Sequence, residues 1–474
     1  MYDVKSMDAN DFINDGEILT ALAEARGAAD DPAAVRALLA KAGEFHGLTH
    51  REAAVLLEVT DPALLEEIYA LARRIKEHIY GRRIVMFAPL YLSDYCVNKC
   101  TYCGYNHDNT CMTRRRLTQE ELAEEVRVLE RMGHKRLALE AGEDPVNCPI
   151  DYILECIKTI YALKEDNGVI RRVNVNIAGT TVENYRKLRD AGIGTSILFQ
   201  ETFHKPTYLQ VHPAGPKHNY EWHTEAHDRA MTAGIEDVGA GVLYGLYDWR
   251  YDTVAMLMQA EHLEAVFGVG PHTISVPRIR TAAGVDAAQF PWIVSDADFK
   301  KVVAVLRLAV PYTGMILSTR EPQGYRDEVI AVGISQVSAG SCTGVGGYAS
   351  AGKLGFEDLT PQFETEDHRT PTQVLKDLIG EGYIPSYCTA CYREGRTGDR
   401  FMALAKNGQI ANICQPNAIL TLQEYLEDYG DEELRIMGNA VIERELNSIP
   451  DEKRREKTRG YLERIKAGER DFRF

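Results

Sequence analysis

Cys96, Cys100 and Cys103 stand in the run CVNKCTYC, a C-x3-C-x2-C spacing that puts three thiols on one short loop. Three thiolates hold three irons of a 4Fe–4S cubane and leave the fourth iron for another ligand, whereas a structural cluster normally closes with a fourth cysteine. Zinc is the alternative. It wants a fourth ligand close by, and His107 or Cys111 could supply one. A second set, Cys388, Cys391 and Cys414, has the spacing C-x2-C with 22 residues to the third cysteine, and no Cys or His follows Cys414. Three thiolates without an obvious fourth ligand suit a second 4Fe–4S cluster with an open iron, with zinc again the competitor. An open iron on an auxiliary cluster can bind a substrate, a small ligand or another metal. A cluster that only relays electrons has no need of it.

The elements that must carry these cysteines follow from apolar periodicity. Residues 1–81 read as an N-terminal helical extension: ILTALAEARG, AAVRALLAKAGEF and LLEEIYALARRIKEHIYG repeat apolar residues three and four apart, with Gly27, Gly43 and Gly81 as stops. Across 82–354, eight short apolar runs alternate mostly with helical stretches, beginning with RRIVMFAPLYLS and KRLALEAG and ending with GMILSTRE and ISQVSAG. Thr118 and Glu121 stand in capping-box register before one of those helices. The pattern predicts an α/β fold, a (β/α)8 TIM barrel, with an open doubly wound sheet as competitor. The loop 281–297, rich in Ala, Pro and Asp, is expected to lid the site. Residues 355–474 form a mainly helical C-terminal domain carrying the second cysteine set.

The chain has 474 residues, 45% of them hydrophobic, and a formal net charge of −16. Such a chain is a poor non-specific binder of nucleic acid, and no membrane partner is expected, because no apolar stretch approaches about 18 residues. The polar N-terminus carries no signal peptide, which predicts a cytoplasmic protein whose clustered cysteines are metal thiolates rather than disulfides.

With the aromatic Tyr102 before its last cysteine, the first motif resembles the signature of the radical S-adenosylmethionine (SAM) superfamily. The strings APLYLSDYCVNKCTYCGY, ALEAGEDP, FQETFH, GPHTISVPRI and SAGSCTGVGGY, together with Cys388, Cys391 and Cys414, look like the FeFe-hydrogenase maturases that act as tyrosine lyases, over essentially the whole chain. The resemblance implies SAM chelated to the open iron by its amine and carboxylate, and cleaved by one electron from an external donor to a 5′-deoxyadenosyl radical. It implies two 4Fe–4S clusters and a labile fifth iron on the auxiliary one, with L-cysteine. The implied substrate is L-tyrosine, split at Cα–Cβ into p-cresol and dehydroglycine, which goes on to carbon monoxide and cyanide. The implied product is an iron–carbonyl–cyanide–cysteine unit passed to other hydrogenase maturation proteins. Two other functions stay open: a dehydroglycine synthase of thiamin biosynthesis, whose relatives lack the C-terminal triad, and a non-enzymatic iron–sulfur scaffold.

Residue roles follow from position and from that resemblance. Gly142 and Glu143 end the second strand, where relatives hold the SAM amine; the start of the next helix is the competing role. Glu201 is expected near the methionyl or ribose part of SAM, and Tyr102 beside the first cluster. Asn174 and Asn176 alternate on RRVNVNIAG and so face the barrel interior, either toward the SAM ribose or as a structural polar pair. Arg278 and Arg280 alternate on TISVPRIR, one of them inward to clamp the SAM carboxylate. Arg320 ends GMILSTRE and resembles the substrate-carboxylate arginine of the radical SAM tyrosine and tryptophan lyases, with Ser318 or Thr319 at the substrate amine. A salt bridge to Glu321 is the alternative for Arg320. His272 opens a strand and is a candidate ligand of the labile iron, or a structural histidine. A channel through the barrel is expected to join the two cysteine sets.

Overall fold

The computed structural model describes residues 1–350 and 360–474. Eight strands run parallel: β1 (Arg83–Ser93), β2 (Arg136–Ala141), β3 (Arg172–Asn176), β4 (Ser196–Ile197), β5 (Val238–Gly241), β6 (Thr273–Ser275), β7 (Gly314–Leu317) and β8 (Gln336–Ser338). Each pairs with the next, and β1 pairs with both β2 and β8. The sheet therefore closes, which decides for the (β/α)8 barrel over the open sheet. The helix Gln119–Arg131 carries the expected capping box of Thr118 and Glu121.

A ninth strand, β9 (Ile384–Ser386), pairs parallel with Arg83–Val85 at the start of β1. It ties the C-terminal region to the N-terminal rim of the barrel, opposite the first cysteine loop. Three residues with a central Pro385 give no alternating signal, so periodicity does not find it; proline is tolerated at such an edge. The expected boundary at 354/355 lies outside the described residues.

The extension is helical, including Asp15–Ala29, His50–Glu58 and Pro62–Tyr80, and it packs on the barrel helices Trp249–Phe267 and Asp296–Ala309. Gly27 does not stop a helix as expected; it sits inside Asp15–Ala29, whereas Gly43 and Gly81 do end theirs, Gly81 at φ 63°. Ile75 and Ile79 of the extension, Met315 and Val337 of the barrel, and Leu422 of the C-terminal region belong to one apolar cluster. Each such fully buried aliphatic side chain contributes about 1.5–3 kcal/mol, so the three regions are held as one body. Among the described residues, no helix is long and apolar enough to cross a membrane.

Candidate active site

The end of β1 delivers the first cysteine loop to the C-terminal mouth of the barrel, where this fold places its chemistry. The loop is fixed by its backbone: Val97 N–H donates to Glu143 O at 2.8 Å, Lys99 N–H to Ala214 O at 3.1 Å and Thr101 N–H to Val211 O at 2.9 Å. Gly142 N–H donates to Ser93 O at 3.0 Å. A Cβ at Gly142 would run into the Tyr95 carbonyl oxygen and the Cys96 side chain, so only glycine lets the loop lie this close to β2. The Arg114 guanidinium donates to the carbonyls of Asp94 and Tyr105 at 2.7 and 3.0 Å, closing the loop from behind. The segment 281–295 leans on it through Asn109, which donates to Ala283 O at 2.7 Å.

Cys96, Cys100 and Cys103 line one cavity of about 220 Å³ that runs into the barrel. Burial pushes the Cys103 thiol up to about 11 and the Cys391 thiol of the second set up to about 12. Thiols of this kind release their protons to bind a metal. Among the described residues no three His, Cys, Asp or Glu side chains converge as they would around one metal ion. A cubane places its three thiolates on three different irons, and so needs them spread around a cube.

The same cavity gathers Gly142, Glu143, Glu201, Asn174, Asn176, Tyr102, Ser318, Thr319 and Arg320. Asn98 donates to Glu143 Oε2 at 2.6 Å, and burial raises the Glu143 pKa. Lys217 Nζ lies 2.7 Å from Glu201 Oε1; burial opposes its charge, but Glu201 and Cys100 hold its pKa above the ordinary value. Glu201 sits at φ 71°, a left-handed conformation costly for a non-glycine residue and typical of functional sites. Tyr102 Oη meets His212 Nε2 at 2.7 Å. Asn174 accepts from Thr195 N–H at 3.0 Å, and Asn176 donates to Glu140 Oε2 at 2.7 Å.

Arg320 points into this cavity. Its guanidinium lies 3.3 Å from the Phe363 ring centroid, and burial lowers its pKa. It has no carboxylate partner among the described residues. The alternative salt bridge to Glu321 is not formed, because Glu321 is taken by Arg278 and Arg280. Those two arginines do not line the cavity; Arg278 also donates to Asp296 Oδ1 at 2.7 Å and Val294 O at 3.0 Å, which anchors the end of the 281–295 segment.

The second set lies at the opposite end of the barrel. Cys388 follows β9, and Cys414 sits on the helix Ile410–Tyr429. His272, just before β6, reaches that end: its ring lies 4.6 Å from Phe401 and 5.8 Å from Tyr392, the residue after Cys391, with Nδ1 3.4 Å from Asp237. None of Cys388, Cys391 and Cys414 lines the cavity. Arg136 does, and its Nη2 donates to Cys388 O at 3.0 Å, so this side chain stands between the cavity and the second set. Arg136 thus lies on the path along which a channel between the two cysteine sets is expected. Arg136, Glu140, Lys217 and Asn98 were not foreseen as site residues. Arg136 and Glu140 stand four apart on a strand, so alternation alone places them on one face.

Comparison with known proteins matches residues 90–260 to the radical SAM superfamily and residues 275–384 to the biotin and thiamin synthesis associated domain. The 2-iminoacetate synthase of Escherichia coli K12 is 32% identical over 343 residues, 71% of this chain and 86% of that protein. The crystal structure of HydG, a maturase of the FeFe-hydrogenase, is 61% identical with a TM-score of 0.94, covering 98% of this chain and 100% of that one. HydG from Carboxydothermus hydrogenoformans is 36% identical with a TM-score of 0.82, covering 96% and 99%.

Proposed function

Since the chain belongs to the HydG-like FeFe-hydrogenase maturases of the radical SAM superfamily and is a radical SAM carbon–carbon lyase, we propose that its substrate is L-tyrosine and that it carries the fragment through to diatomic ligands. The observation that carries this reading is Arg320: a half-buried guanidinium without a carboxylate partner among the described residues, in the same cavity as three clustered thiols. A free amino acid brings the missing carboxylate, and the planar fork suits it.

The residues present fit a cluster and SAM. Three thiols share one loop, Gly142 keeps the wall open beside it, and Glu143 offers an acceptor to an ammonium group. When bound, cluster and SAM together supply a 5′-deoxyadenosyl radical after one electron from an external donor. The protein's own work is placement. Arg320 fixes the tyrosine carboxylate, Ser318 and Thr319 stand beside it, and the amine is thereby turned toward the mouth where Cys96, Cys100 and Cys103 lie. Holding both reactants in one enclosed site is the main contribution such a site makes. Scission at Cα–Cβ then yields dehydroglycine and a 4-hydroxybenzyl radical, which a second electron from the external donor and a proton convert to p-cresol.

Dehydroglycine contains the atoms of carbon monoxide, hydrogen cyanide and one water, so its breakdown needs no added oxidant. In this reading Cys388, Cys391 and Cys414 hold the auxiliary cluster, and His272 binds an additional labile iron with L-cysteine. The iron–carbonyl–cyanide–cysteine unit is the delivered product, received by other hydrogenase maturation proteins in the cytoplasm. Similarity to 2-iminoacetate synthase favours a second reading, a lyase that stops at dehydroglycine. The double variant Cys388→Ala/Cys391→Ala separates them. The first reading expects p-cresol retained and carbon monoxide lost relative to native protein; native protein that forms p-cresol without carbon monoxide or cyanide supports the second.

A further inference from the structure

Three carboxylates line the upper cavity, and two are committed. Glu143 is held by Asn98 at 2.6 Å, and Glu201 by Lys217 at 2.7 Å. The third, Glu140, has one amide partner, Asn176, at 2.7 Å on Oε2; no cation pairs with it, and Oε1 has no hydrogen-bond partner among the described residues. Strand register places Glu140 beside Tyr91 of β1 and Asn176 of β3. Arg320, after β7, acts on it electrostatically, as it does on Tyr91. Burial pushes the Glu140 carboxyl up to about 8, with Asn176 and Arg320 pulling the other way. Tyr91 stays neutral, since burial holds its pKa well above the ordinary value. Arg136 lies four residues back on the same strand, and Glu143 and the Glu201–Lys217 pair stand nearer the mouth.

Free tyrosine arrives as a zwitterion. Its ammonium nitrogen has no lone pair and is a poor source of a hydrogen atom; the neutral amine is a better one. With the carboxylate fixed on Arg320, the ammonium must be neutralised within the cavity, and the neighbouring acid without a cation is Glu140. We propose that Glu140 is the general base that takes the proton from the ammonium group of bound tyrosine before the radical step. One N–H bond breaks, its electron pair stays on nitrogen, and the proton forms an O–H bond on Glu140. No electron is transferred, and the proton leaves to solvent when products depart. The proposal rests on the tyrosine-lyase reading.

The test compares native holoenzyme with Glu140→Gln and Glu140→Asp, following p-cresol at saturating SAM and tyrosine from neutral to alkaline pH. The electron paramagnetic resonance of the first cluster serves as the control for folding and loading. A general base must be ionised, so the native rate is expected to rise with pH through an acid limb near about 8. Glu140→Gln should lose that limb and fall by about 100-fold or more, while Glu140→Asp keeps the limb at reduced turnover. A merely structural role would leave the shape of the profile untouched. Native turnover with the native limb in Glu140→Gln would overturn the proposal; if that variant fails to load its cluster, loss of the limb in Glu140→Asp would overturn it instead. Native enzyme that forms no p-cresol would bring down the tyrosine-lyase reading itself, a separate outcome.

Discussion

Arg278 grips Glu321 with two nitrogens: Nε lies 3.1 Å from Oε1, and Nη2 donates to Oε2. Arg280 adds a third contact, Nη2 to Oε2 at 2.9 Å. This grip keeps Glu321 away from the neighbouring Arg320, the proposed partner of the substrate carboxylate. The carboxylate next to it in sequence is already spent, so Arg320 is left with an aromatic ring, a long 3.5 Å hydrogen bond to the Arg278 carbonyl and an open cavity. The Arg278–Glu321 pair is buried, with Glu321 only 1% exposed.

Breaking that pair from one side leaves a buried cation uncompensated, which costs about 3–5 kcal/mol. Glu321→Gln is expected at the lower end, near 3 kcal/mol, because Asp296 also contacts Arg278. Urea unfolding of the holoenzyme measures it, and an unchanged midpoint would contradict the pairing described.

Arg320→Lys keeps the charge but loses the planar fork. A charged hydrogen bond contributes about 1.5–3 kcal/mol, so the KM for tyrosine should rise by about 10–150-fold. Binding of SAM should change little. Steady-state p-cresol formation gives the first, and calorimetric titration of SAM without reductant gives the second. An equal loss in both would show that Arg320 does not serve the substrate specifically.

At Gly142 an added Cβ meets the Tyr95 carbonyl and Cys96 Cβ. Gly142→Ala is therefore expected to push the first cysteine loop outward and lose the first cluster, leaving the second. Iron content after reconstitution should drop by about half, with the auxiliary cluster's resonance retained. Full iron content in the variant would show that the loop tolerates displacement.

Much of this was legible in the chain. The first cysteine set, Glu143 and Arg320 sit at the ends of apolar runs, the second cysteine set shows in its spacing, and period-two alternation faces Asn174 and Asn176 inward. What the sequence hides has physical reasons. Strand alternation on TISVPRIR suggests an inward arginine, but β6 is only three residues long, Thr273–Ser275, and the chain beyond it carries Arg278 and Arg280 to Glu321 instead. β9 escapes because three residues with a proline have no periodicity. Glu140 is hidden because a carboxylate in an apolar strand gains meaning only from its neighbours across the lumen, and these come from strands far apart in sequence.

The central claim is that tyrosine binds in the barrel cavity and triggers radical cleavage there. The most direct measurement is anaerobic incubation of reconstituted native protein with SAM and dithionite, with and without L-tyrosine, quantifying 5′-deoxyadenosine and p-cresol together. The account predicts that tyrosine stimulates 5′-deoxyadenosine formation and that p-cresol accompanies it in near-equal amount. Intact clusters with no tyrosine-dependent 5′-deoxyadenosine and no p-cresol would contradict it.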